Sequence, residues 1–150
     1  MNAADAKPKL TEEDGYEALR GHVVDKALAA RRKYGPELDA AALQRLLADR
    51  EVVRFPTELA FDASLLQAGE FAWASPKGDH PSDGFTLIVH SRFEHRPEAW
   101  PYLVAYHIPT INYLDVVTNR EAELYGAVLL GLALAFLPRL LRLPPPVRRR

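Results

Sequence analysis

Apolar side chains recur every three or four positions early in the chain, at Tyr16, Leu19, Val23, Ala27, Ala30 and Tyr34. That spacing places them on one face of a helix. Thr11 stands ahead of them as a capping residue, Asp14 occupies a weak capping-box position three residues on, and acidic side chains fill the first turn. Gly35-Pro36 closes the helix, because glycine tolerates a left-handed backbone and proline cannot continue the ladder. A second helix is predicted from about Glu37 to Asp49, with Leu43, Leu46 and Leu47 on one face and Arg45 and Arg50 outside.

The period then shortens. "VVRF" from Val52 is rich in strand formers, Pro56 interrupts it, and "TELAF" alternates Thr57, Leu59 and Phe61 with Glu58 and Ala60. "DASLLQAG" reads as a turn with a short helical piece. "EFAWAS" alternates again, with Phe71 and Trp73 on one face. After the turn-rich loop from Pro76 to Gly84, "FTLIVHSRF" sets Phe85, Leu87, Val89 and Phe93 against Thr86, Ile88, His90 and Arg92. Short strands with short connections favour an antiparallel or mixed sheet.

From Pro97 the helical character returns, and Pro97 and Pro101 both suit a first turn. "YLVAYHI" has two readings. It is a helix that ends or kinks near His107, because Pro109 removes a backbone donor at a cost of about 3 kcal/mol, or it is a strand, since Val, Ile and Tyr suit sheets equally well. "TNREAELYGAVLLGLALAFL" then offers Thr118 or Asn119 as cap, Glu121 and Glu123 in the first turn, and a long apolar helix. The pattern describes an α+β fold, a small mixed or antiparallel sheet packed by helices. It divides the chain into a flexible arm over 1–11, a single domain over 12–138 and a basic Pro/Arg-rich tail over 139–150.

An apolar fraction of 48% in 150 residues is enough for one self-supporting core. Cysteine is absent, which removes disulfides, thiolate metal sites and cysteine nucleophiles. The start of the chain has no apolar run of the secretory kind, so a cytoplasmic location is expected. Leu124 to Leu137 is uncharged, but it is shorter than the roughly 20 residues that cross a bilayer. No membrane association is expected; the run reads as a core helix or, because so long an apolar stretch is hard to cover in a small protein, as a homodimer seam over 124–137. The formal net charge is -1. The arginines Arg139, Arg142, Arg148, Arg149 and Arg150 crowd a proline-rich end without aromatic interleaving, so no nucleic-acid binding is expected.

Candidate chemistry is sparse. Ser64, Ser75, Ser82 and Ser91 lie outside any Gly-x-Ser-x-Gly elbow, and the glycines form no phosphate loop. Histidine with carboxylate is the remaining material for a metal site: His90, His107, Asp115 and Glu121, with His95 and Glu123 nearby in sequence. Pairings such as His107 with Asp115 or His90 with Asp83 could exchange protons, but arise by chance in any chain of this size. Glu121 and Glu123, two apart, face different ways on a helix and suit its N-terminal dipole.

"YHIPTINY" followed by "EAELYGAVLL" resembles the zincin-like metallopeptidases of the phage-immunity and radiation-response type. In that family a His-Glu-x-x-His helix carries two zinc ligands and a general base, and a later helix with Glu-Ala-Asn-x-Phe-Ala-x-x-Leu-Leu carries the third ligand. Histidines at i and i+4 share a helical face and reach one ion, and the glutamate between them activates its water. His107 matches the first histidine, whereas Ile108 stands at the glutamate position and Ile111 at the second histidine. In the later motif Glu121, Ala122, Tyr125, Gly126, Leu129 and Leu130 follow the pattern and Glu123 replaces the asparagine. The resemblance implies a non-catalytic zincin-like protein without a cofactor, acting through an unidentified protein partner. The alternative is a metal-dependent hydrolase holding one divalent ion, zinc above all, on a rearranged set of His90, His107, Asp115 and Glu121.

Overall fold

The computed structural model describes residues 10–35 and 37–131. Most of the expected arm, the apolar run beyond 131 and the arginine-rich tail lie outside the described residues. Helix α1, Glu12–Tyr34, starts on the expected capping box: Thr11 Oγ1 accepts from the Asp14 amide at 3.1 Å and Asp14 accepts from the Thr11 amide at 2.8 Å. Val23, Ala27 and Ala30 form its buried stripe, and Gly35 ends it at φ 79°. Helix α2, Ala40–Ala48, begins later than the pattern suggests, because Asp39 caps it by accepting from the Ala42 amide at 2.7 Å.

No strand forms at Val52. Residues 50–55 make a turn in which the Val52 and Val53 amides both donate to the Asp49 carbonyl, at 3.0 and 2.8 Å, while both side chains enter the core. The β-branched pair is apolar because it is buried, whatever its backbone does.

Three strands follow: β1, Thr57–Phe61; β2, Ala72–Pro76; and β3, Phe85–Val89. Their order is β1-β3-β2, with β1 parallel and β2 antiparallel to β3, so the sheet is mixed. Leu59 and Phe61, Leu87 and Val89, and Ala72 and Ala74 meet the core from one face. Trp73 stands opposite Ile88 on the other face, and Phe71 precedes the strand, set edge-on to Phe93 at 5.8 Å; the two aromatics do not share a strand face as their spacing suggests. Gly84 turns the chain into β3 at φ 93°, where a Cβ would stand 2.6 Å from the Pro56 carbonyl oxygen. Only glycine fits there.

Helix α3, Trp100–Tyr113, settles the ambiguity of "YLVAYHI" in favour of a helix, and it runs on through Pro109 instead of ending near His107. Leu103, Val104, Ile108 and Ile111 are all buried on it. Burying each contributes about 1.5–3 kcal/mol, which together outweighs the proline's cost of about 3 kcal/mol. Helix α4, Asn119–Leu130, is capped by Thr118 with Glu121 in a capping box and ends at Gly131 in the left-handed region. It packs against both α1 and α3.

The part of the apolar run that is described is therefore covered within the chain, with Tyr125 and Leu129 fully buried. None of the described helices is long and apolar enough to cross a membrane. Arg31 of α1 donates to the Val128 carbonyl at 3.3 Å, fastening the first helix to the end of the last. One core cluster joins residues of the four described helices and the sheet.

Candidate functional site

His107 sits two turns into α3, partly buried against β2. Its Nδ1 lies 2.6 Å from the Leu103 carbonyl one turn back, an acceptor, so Nδ1 carries the proton. Burial pulls the ring below the usual histidine range, against the bond to Leu103, the backbone of Ala72 and the carboxylate of Glu70, all of which favour the protonated ring. Glu70 is buried in the turn before β2, and its carboxylate accepts from the Gln67 amide at 3.1 Å. A donating Nδ1 would suit a metal-binding histidine, whose other nitrogen ligates. Among the described residues no three potential ligands gather around one ion position here.

Ile108 and Ile111, at the positions where a zincin carries its base and second histidine, are both fully buried. That face of α3 is core. Glu121 is buried at the start of α4, and its carboxylate accepts from the Thr118 amide at 3.0 Å and from the Thr118 hydroxyl. Burial pushes its pKa up, but these hydrogen bonds, its own backbone amide and the neighbouring Arg120 outweigh that and hold it below the usual value. His90 caps a 3-10 turn after β3, its Nδ1 accepting from the Arg92 amide at 3.1 Å. Asp115 is exposed in the turn between α3 and α4. The structure does not bring the four together: among the described residues no three His, Cys, Asp or Glu side chains are placed to hold one metal ion.

A concavity lies elsewhere, between α1, the 50–54 turn and the end of α3, with a volume of about 500 Å³. One wall is an α1 stripe of His22, Lys26, Ala29 and Lys33. Arg50, Glu51, Val52 and Arg54 form the second wall, and Asn112 and Tyr113 close the end. Asn112 ties the turn to α3: its Oδ1 accepts from the Arg54 amide at 2.7 Å and its Nδ2 donates to the Val52 carbonyl at 2.8 Å. His22 meets Tyr113 edge-on at 5.4 Å.

Four cationic side chains thus face one carboxylate, in a chain whose formal net charge is -1. Two of the cations are already engaged by polar partners, and the Arg54 guanidinium lies over the Phe55 ring at 5.2 Å. Lys33 pairs with Asp49 at 2.6 Å, and Arg50 donates to the Leu47 and Val53 carbonyls at 3.1 and 3.4 Å. The α1 stripe is visible in the sequence as positions i, i+4, i+7 and i+11. Its partner wall is hidden there, because the turn reads as a strand and Asn112 lies 58 residues from Arg54.

No protein-family model, curated protein or solved structure matches this chain.

Proposed function

We propose that this chain is a non-catalytic domain, zincin-like in outline, that acts by binding a protein partner. The observation that carries the reading is the burial of Ile108 and Ile111 beside His107. A metallopeptidase helix turns that face towards an open metal position; here it is packed into the core. Support for a partner comes from the α3–α4 connection. Leu114 takes φ 54° there, a conformation that costs a bulky side chain energy, and Val116 is 66% exposed. Leu114 and Val116 are the apolar side chains that a partner would cover there.

Elemental analysis of protein purified without an affinity tag, with thermal melts in the presence and absence of chelator, tests the reading. No bound transition metal, no chelator shift and no hydrolysis of labelled casein are the expected results. Stoichiometric metal with a chelator-induced drop in Tm would overturn this reading in favour of a metal-dependent hydrolase. Light scattering at high micromolar concentration distinguishes a foreign partner from a second copy joined through 124–137.

A further inference from the structure

We propose that the cleft between α1, the 50–54 turn and the end of α3 binds a small phosphorylated molecule. This does not depend on the zincin reading. Lys26 and Arg54 supply the reason. Among the described residues neither has a carboxylate within ion-pair distance, although the other two cations of the cleft are engaged by Asp49 and by main-chain carbonyls. They stand on different walls, one on a helix and one on a turn. A monocarboxylate satisfies one wall, whereas a phosphoryl group has about two negative charges and oxygens facing several directions.

The second wall is preorganised. Asn112 holds the backbone of Val52 and Arg54 at both of its amide atoms, so Arg54 is carried on a fixed turn, its guanidinium over the Phe55 ring at 5.2 Å, and binding orders little new backbone. The volume of about 500 Å³ exceeds a bare phosphate and falls in the range of small-molecule pockets. Ala29, Ala30 and Val52 with the ring of Tyr113 give the remaining space an apolar lining. The ligand is accordingly a phosphoryl group on a compact body, with the charge towards Lys26 and Arg54 and the body towards Tyr113.

Titration calorimetry with inorganic pyrophosphate tests the charge recognition on the full chain at low salt. Saturable binding with a Kd of about 1 mM or below is expected, weakened at least about tenfold in the Lys26→Gln, Arg54→Gln double variant. The Lys77→Gln, Arg92→Gln double variant removes the same charge outside the cleft and keeps wild-type affinity. No saturable heat by about 5 mM, or equal weakening in both double variants, overturns the site, since the latter is diffuse electrostatics. A single-stranded oligonucleotide that binds tighter than pyrophosphate with the same dependence on Lys26 and Arg54 overturns the small-molecule assignment. Far-ultraviolet melts check folding. Lys26→Gln alone, on an exposed helix position, carries the comparison if the Arg54 change lowers the melting temperature.

Discussion

Asn112→Ala should cost more than its place on a partly exposed helix end suggests. The amide joins α3 to the 50–54 turn by two main-chain bonds, at 2.7 and 2.8 Å. Each such bond contributes about 0.5–1.5 kcal/mol net. The bond from the Arg54 amide is exposed, so water replaces it in part after truncation; the Val52 carbonyl is part-buried and is less well compensated. The two together give about 2 kcal/mol, which in a chain of this size lowers Tm by about 4–8 °C. Urea unfolding followed by tryptophan fluorescence measures the loss, and hydrogen exchange at the Arg54 amide locates it. Asn112→Asp separates the two bonds. It keeps an acceptor for Arg54 but sets a carboxylate oxygen against the Val52 carbonyl, so it should be no more stable than the alanine variant. A loss below about 0.5 kcal/mol for alanine, or wild-type stability for aspartate, refutes the claim that this clamp shapes the cleft.

Three further predictions concern other contacts. Because burial lowers the His107 pKa below 6.5, the unfolded chain takes up a proton first as pH falls, and stability drops below about pH 6.5 by up to about 1.4 kcal/mol per pH unit; His107→Gln should flatten that decline in urea midpoints between pH 7.5 and 5.5, and parallel slopes would sink the idea. Asp49, held at about 2 by Lys33 and Tyr34 against an ordinary 3.8, stabilises the fold fully above the ordinary value and loses that contribution as pH falls through the depressed one, so Asp49→Asn should destabilise at pH 7 and matter least near pH 2. Gly84→Ala combines φ 93° with a contact 2.6 Å from the Pro56 oxygen; it should cost about 1–3 kcal/mol, and an unchanged melt would show that the turn into β3 can move.

The parts of the fold that sequence reveals are those whose cause is local. The Thr11 and Thr118 caps, the Gly35 stop and the alternation in "TELAF" each act within four residues, and all stand where the pattern puts them. The turn at 50–55 does not, since Val52 and Val53 are apolar for a core assembled by distant helices, and the carbonyl of Val52 is satisfied 60 residues away. Pro109 is a similar case. Its local penalty is real, but the burial that outweighs it belongs to tertiary packing. The four expected ligands share chemistry and sequence neighbourhood but occupy a 3-10 turn, two helices and an exposed connection. The cleft had half its signal in the α1 stripe. What was missing was any local sign that the second wall would fold against it.

The bond from Arg31 to Val128 spans 97 residues, and it has a consequence for the growing chain. At a ribosomal rate of about 5–20 residues per second, α1 is complete roughly 5–20 s before the helix it packs against. During that interval its Val23, Ala27 and Ala30 stripe has no final partner, and the cleft that α1 helps to wall cannot close. Closure of so long a loop makes the docking of first and last helices a late event in folding. A stalled nascent chain released before α4 has emerged should therefore carry the α1 stripe open to chaperones and proteases, and adding α4 should protect it.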